Sequence, residues 1–509
     1  MAAPASPPPD DPETLKALLA EERAENERLR QIIQAMQRHR FGRRAESLPE
    51  DQLLLGLEEA EQGEAATLAA ADSEPASRAT RVAERRRNRG ALPAHLPRVE
   101  RVVDPASLVY PCCAGTLHRI GEDVSERLDV VPAQVRILVI RRPRYACRAC
   151  EEAVVQAPAP ARLIEGGLPS DALVAQVLVS KYADHLPLYR QAQIFARQGV
   201  CLDRSTLADW VGRAAFALRP VHERLLTMLR ASGKLFADET TAPVLDPGRG
   251  RTKTGQLWAY ARDDRPWGGR DPPGVAYVYA PDRTAERPLR HLSGFAGVLQ
   301  VDGYGGYKAL ADRGGIQLAF CWAHVRRRFY ELAQGGPAPI ATQALERIAR
   351  LYRTEAEIRG RSAEERRAQR QEHSRPVIAA LEPWLREKLG QISQKSRLAE
   401  AIRYALSRWA GLCVFLEDGR VELDSNVVER AIRPLALTRK NALFAGSDGG
   451  GQHWAVIASL VETCKLNGVE PHAYLSDVLT RIAEGHPNRR LDELLPWAYA
   501  SAQDLKAVA

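Results

Sequence analysis

The sequence predicts a multidomain α/β protein. A strand-rich core interrupted by a helical block follows a dimerising helix, a small β-rich cysteine module and a helical region. Three observations predict it. At 509 residues the chain exceeds what one compact domain holds, and its length points to about three or four units. Apolar spacing switches along the chain between the helical period and short strand-type runs. Four of the eight cysteines, Cys112, Cys113, Cys147 and Cys150, fall close together, which is metal-site usage rather than a disulfide scaffold.

Residues 1–44 combine a Pro-rich start, expected to be disordered, with an amphipathic stripe. Leu15, Leu18, Leu29, Ile32 and Met36 fall on steps of three and four, with Glu22 and Glu25 on the same stripe. That pattern fits a dimerising coiled-coil helix, and a lone amphipathic helix also fits it. Residues 45–100 lack a sustained apolar period and read as a basic linker.

The formal net charge is +8, with a sequence pI near 9.1, which favours a polyanionic partner, nucleic acid before membrane. The charge is uneven. Residues 81–101 carry seven arginines against two glutamates, and residues 38–44 carry four more arginines. An arm holding Arg85, Arg86 and Arg87 neutralises DNA phosphates without reading sequence, and a solvated linker gives the same composition. The first residues lack the basic and apolar regions of a signal peptide, and no run reaches the ~20 apolar residues that cross a bilayer. A soluble, cytoplasmic protein with no membrane partner is expected.

Residues 101–160 form the cysteine module, with Val135–Ile140 expected as a strand. Residues 161–231 turn helical. Leu188–Gln198, a break at Gly199 and a new helix that Ser205 is placed to cap resemble a helix-turn-helix carrying Trp210 and Val211, and ordinary antiparallel packing explains the pattern equally. Strand runs follow at Lys234–Asp238, Leu257–Ala261, Val275–Ala280, Val298–Asp302 and Ile316–Phe320, making 232–330 the first part of an α/β core. Helical spacing over 331–411 marks an insertion. The core resumes over 412–450 with a helix near Asn426, and 451–509 is a helical tail.

Asp238 and Asp302 each close an apolar strand run, where an acid is held rigidly at a sheet rim within reach of substrate. Two such acids on neighbouring strands suit Mg²⁺ or Mn²⁺, hard ions that bind through a few carboxylates plus substrate phosphates. Two metal ions about 4 Å apart serve an in-line displacement at phosphorus. Gly303 leaves room for a DNA backbone. Glu429 is a third acid near a helix start, where a capping box with Asn426 as N-cap explains it as well as a ligand does.

The ordered motifs Leu235 to Thr240, Pro243 to Gly248, Val301 to Tyr304, Cys321-Trp322-Ala323-His324 and Asp424 to Pro434 resemble those of the insertion sequence 66 transposases. The likeness extends to Phe41-Gly42-Arg43-Arg44 and the cysteine module. It implies an RNase H-like core with a DDE triad carried onto Asp238, Asp302 and Glu429. It also implies metal-dependent cleavage at the ends of an insertion element, and transfer of the freed 3′-hydroxyl into target DNA. Partners implied are element-end and target DNA, at least a second copy of the chain, and small accessory proteins encoded by the same element. Another class of function remains open: a regulator or degenerate transposase that binds element ends without catalysis.

Around the acids, His324 is placed to approach the scissile phosphate or to hydrogen-bond backbone at the core edge. Arg326, Arg327 and Arg328 after it, and Arg430, Arg433, Arg439 and Lys440 after Glu429, are candidate phosphate contacts, although Arg433 at i+4 is also placed to pair with Glu429. In the cysteine module Tyr110 stands where the family has a zinc-ligating cysteine. Zn²⁺ binding would then rest on Cys113, Cys147 and Cys150 with Cys112 or His118 as fourth ligand; folding without zinc is the alternative.

Overall fold

The computed structural model describes residues 135–146, 154–246, 250–334 and 338–499. The heptad stripe, Arg85 to Arg87, Tyr110 and the four clustered cysteines lie outside these residues. Val135–Ile140 is not a strand. Its side chains are exposed, Ile137 at 90%, and the short strands β1 (Arg144–Ala146) and β2 (Val154–Gln156) pair antiparallel instead. An apolar run becomes a strand only where a partner takes its hydrogen bonds, and β1 and β2 supply each other's.

Three helices follow: α1 (Asp171–Tyr182), α2 (Leu188–Arg197) and α3 (Arg204–Arg230). Gly199, at φ +79°, makes the break after α2. Asp203, not Ser205, occupies the N-cap position of α3, and Ser205 lies inside the helix. Trp210 and Val211 face the core at 3% and 4% exposure, and the outward face carries Arg204, Asp209, Arg213 and Phe216.

The central sheet has the order β5-β4-β3-β6-β7, built from β3 (Lys234–Asp246), β4 (Arg251–Arg262), β5 (Gly274–Ala280), β6 (Gly297–Val301) and β7 (Ile316–Phe320). The first three pair antiparallel; β6 joins β3 in parallel and β7 joins β6 in parallel. β3 does not stop at Asp238. It runs to Asp246 because β4 pairs with it throughout, from Phe236 opposite Ala261 to Asp246 opposite Arg251. β6 leaves it after Phe236, and further along that flank Ala445 bridges β3, its N–H donating to the Pro243 carbonyl at 2.9 Å and its carbonyl accepting the Leu245 N–H at 2.8 Å.

The long helices continue as α4 (Trp322–Gln334), α5 (Pro339–Ile358), α6 (Arg375–Gln391), α7 (Arg397–Leu406), α8 (Asn426–Ala442), α9 (Asp448–Leu466) and α10 (Pro471–Ala483). α9 is buried from Trp454 through Cys464, as expected of a helix apolar on every side. It covers the outer edge of β5, where the hydroxyls of Thr463 and Ser459 accept the N–H groups of Val275 and Tyr277 at 3.1 and 2.7 Å. A sheet edge is thereby closed to further pairing.

Two cores result. One joins α1, α3, the sheet, α9 and α10. The other packs α4 against α5, α6 and α7, and takes Val298 and Ala319 from β6 and β7. α4 to α7 are thus seated on the parallel end of the sheet.

Candidate active site

The parallel pairing of β3 with β6 ends at Phe236 opposite Gln300. Side chains repeat every two residues along a strand, so carrying that register two residues further sets Asp302, just past the end of β6, beside Asp238 within β3. The Asp302 Oδ1 accepts the N–H of Tyr304 at 3.0 Å, and the Asp238 Oδ1 accepts the N–H of Glu239 at 2.8 Å.

Glu429 arrives from far along the chain. The buried side chain of Gln300 on β6 donates to the carbonyls of Glu422 and Asp424 at 2.7 and 2.9 Å. Trp322 N–H donates to the Leu423 carbonyl at 3.0 Å, and Ser425 N–H to the Cys321 Sγ at 3.2 Å. Residues 422–425 are therefore laced to the ends of β6 and β7, and α8 starts from there. Ser425, not Asn426, stands at the N-cap position and makes no side-chain cap bond. Its hydroxyl donates instead to the Glu429 Oε1 at 2.8 Å. Glu429 closes no capping box, and its charge acts on Asp238 and Asp424.

Electrostatics register the gathering. Burial pushes the Asp238 carboxyl well above the usual carboxylate range, and the charges of Asp302, Glu239 and Glu429 push it the same way. Asp424 is raised to about 7, by burial first and then by Glu422 and Glu429. Glu239, beside Asp238, is raised by burial and by Asp302, but it has a cation of its own: Arg283 Nε donates to it at 2.8 Å and the Tyr307 hydroxyl at 2.9 Å. The strand alternation that separates Asp238 from Glu239 thus leaves one acid paired with an arginine and the other among acids.

His324 Nδ1 lies 3.8 Å from the Glu429 Oε1, is buried, and has no hydrogen-bond partner among the described residues. It makes no bond to backbone through that nitrogen. Cys321 Sγ, His324 and Glu429 offer ligand atoms within 4.8 Å of one another, and burial pushes the Cys321 thiol far up.

The basic candidates divide. Arg439 is buried at 8% exposure, and its guanidinium donates to the hydroxyls of Thr240 and Thr241 at 3.1 and 2.6 Å. It ties α8 to β3 instead of facing solvent phosphate. Arg430 and Lys440 are exposed on α8, Arg433 is half-buried, and Arg326 lies over the Tyr330 ring at 5.5 Å. Arg327 is half-buried beside it on α4. Arg328 is exposed, with its guanidinium carbon 4.0 Å from the centre of the Tyr404 ring.

Tyr404 and Arg408 carry no local signal of function in the sequence, yet both reach the site from the helical block. The Tyr404 hydroxyl donates to the Asp302 carbonyl at 2.7 Å, and Arg408 Nη2 to the Gly303 carbonyl at 3.1 Å. Gly303 has φ +113°, and a Cβ there would lie 2.5 Å from the Arg408 Nε. The space expected for a DNA backbone is therefore filled by an arginine.

Residues 166–453 match the family described as Transposase IS66 family, and residues 459–497 match its IS66 C-terminal element. Residues 111–151 match the zinc-finger binding domain of transposase IS66, beginning one residue after Tyr110, and residues 28–101 match the segment described as transposase C of IS166 homeodomain. Three Sinorhizobium fredii proteins, each named as an uncharacterized protein, are similar along most of their length. Over 424 residues y4jD is 50% identical, covering 82% of this chain and 83% of its own. Over 546 residues y4qI is 46% identical, covering 98% and 99%, and y4hP is 40% identical over 491 residues, covering 92% and 88%. The first family match alone spans more than half of the sequence, and the protein belongs to the IS66 transposase family.

Proposed function

We propose that this transposase is a DDE-type enzyme with an RNase H-like core. In this reading Asp238, Asp302 and Glu429 together hold divalent metal for cleavage and strand transfer at the ends of an insertion element. The sheet order, three antiparallel strands extended by two parallel ones from the first, supports the fold. The observation that carries the chemistry is a buried Asp238 carboxyl, raised first by burial and then by the charges of Asp302, Glu239 and Glu429. A buried carboxylate on which two further carboxylates act is a hard-oxygen site suited to Mg²⁺ or Mn²⁺. Such ions, when bound there, would offset charge building on the oxygens around the reacting phosphorus.

The chain's own groups set the rest. β3 and β6 hold Asp238 and Asp302 rigidly, and the Ser425 hydroxyl orients Glu429 towards them. His324, with its uncommitted buried nitrogen, stands where it can accept or hold a proton beside Glu429. In cleavage, water's oxygen bonds to phosphorus as the bond to the element's 3′ oxygen breaks, leaving a 3′-hydroxyl. That hydroxyl then attacks a phosphorus in target DNA and displaces the 3′ oxygen there. The partners are element ends and target DNA, the assembly needs at least two chains, and the work takes place in the cytoplasm.

The test is a nicking and joining assay with duplex carrying the element's terminal repeats, in Mg²⁺ or Mn²⁺. Nicks with joined 3′ ends are expected. Tight end binding with no cut strand would reduce the protein to an end-binding factor, and cutting without joining would make it a nuclease.

A further inference from the structure

Two arginine–tyrosine stacks flank the Asp302-Gly303-Tyr304 turn. In one, Arg283 lies 4.2 Å from the centre of the Tyr304 ring, and its charge is neutralised by Glu239. In the other, the guanidinium carbons of Arg328 and Arg408 both lie 4.0 Å from the centre of the Tyr404 ring. That ring is anchored by its hydroxyl to the Asp302 carbonyl. Neither arginine of this second stack has a carboxylate partner among the described residues. Arg408 donates to the carbonyls of Gly303 and Tyr404 and to the Ser407 hydroxyl. Arg328 makes no hydrogen bond or ion pair there.

Two guanidinium groups held on one ring, neither with a carboxylate partner, offer N–H donors that a phosphate can take up. Arginine's planar fork fits phosphate oxygens, and stacking on an aromatic ring fixes the fork's orientation. The acid cluster itself repels a polyanion, so DNA needs a cationic foothold next to it. Arg328 comes from α4 and Arg408 from just beyond α7, so the foothold forms only when the helical block is seated on the sheet.

We infer that Arg328 and Arg408, held on Tyr404, form a clamp for a DNA phosphate next to the one being cut, supplied jointly by α4 and the helical insertion. The clamp rests on the proposed reading of the acids as the catalytic site. Its phosphate chemistry, however, is read separately from cleavage.

Binding of a duplex carrying the element's terminal repeat would be measured in Ca²⁺, between about 50 and 200 mM salt, for the full chain. Arg328→Ala should make the dependence of log Kd on log salt shallower by roughly 0.9, the value of one lost phosphate contact. Arg328→Lys should keep most of it, and adding Arg408→Ala should roughly double the change. A neutral methylphosphonate placed beside the cleaved 3′ end should weaken wild type but add nothing to the double variant. Because Arg408 also backs Gly303, the exposed Arg328→Ala variant decides if the double variant melts early. An unchanged slope in folded Arg328→Ala would overturn the clamp, whether or not wild type nicks DNA in Mg²⁺. Failure of wild type to nick, with the slope change present, would overturn the enzymatic reading and leave the clamp.

Discussion

The Ser425 hydroxyl donates a 2.8 Å hydrogen bond to the Glu429 carboxylate one helical turn away, while the Ser425 N–H is held by the Cys321 Sγ. One residue thus fixes both where α8 begins and where its acid points. Ser425→Ala should lower the single-turnover nicking rate by about tenfold, the scale of losing an outer partner of a metal ligand, and leave end binding intact. Full activity in Ser425→Ala would show that Glu429 is oriented by other means.

Asp238→Asn, Asp302→Asn and Glu429→Gln should each remove strand cleavage by at least about 10³-fold while leaving end binding largely as in wild type. Gel-resolved nicking in Mg²⁺ and Mn²⁺ measures this. Near-normal metal-dependent cleavage in any one variant would remove that residue from the active set.

Stability without metal should fall as pH rises from acid to neutral. Asp238 is raised well above, and Asp424 to about 7 from, an ordinary value of 3.8. Between the unfolded and folded values the native chain therefore binds more protons than the unfolded one, so its contribution is complete below the ordinary value and lost through the folded value. Melting in EDTA should give a higher Tm near about pH 5 than about pH 8, Mg²⁺ should restore more at the higher pH, and Asp424→Asn should flatten the slope. A Tm that climbs with pH in EDTA would contradict the raised carboxyls of Asp238 and Asp424.

Arg439→Ala should act on stability and not on DNA. Its guanidinium bonds Thr240 and Thr241 from a buried position, so truncation should cost about 2 kcal/mol, read by urea denaturation. The salt slope of DNA binding should stay as in wild type. A shallower slope with unchanged stability would return Arg439 to the phosphate contacts.

Tyr404→Phe keeps the ring under Arg328 and Arg408 but deletes the 2.7 Å bond to the Asp302 carbonyl. The half-saturating Mg²⁺ concentration for nicking should rise about tenfold with no change in DNA salt slope. An unaltered Mg²⁺ requirement would show that Asp302 is held well enough by β6 alone.

Much of this molecule was legible residue by residue. The strand runs around Asp238 and Asp302, the helical interruption and the late helix with Glu429 all follow from spacing, because side-chain periodicity is a local property of the backbone. What spacing misread were partnerships. Val135–Ile140 has strand composition without a strand to pair with. Asn426 looked like a cap beside Ser425, which holds that position. Arg439 looked like its exposed neighbours, yet a turn of α8 against β3 buries it.

The amino-acid order by itself determined which acids were available, the family to which they belong, and the elements that carry them. Only the tertiary structure decided that Gln300 would grip the backbone of Glu422 and Asp424 and so tie the start of the Glu429 helix to β6. It also decided that Tyr404 and Arg408 would cross from the helical block to the Asp302-Gly303 turn. The physical reason is that these bonds join groups about a hundred residues apart in the chain. Their formation depends on how two cores seat against one sheet, which no local pattern of residues specifies.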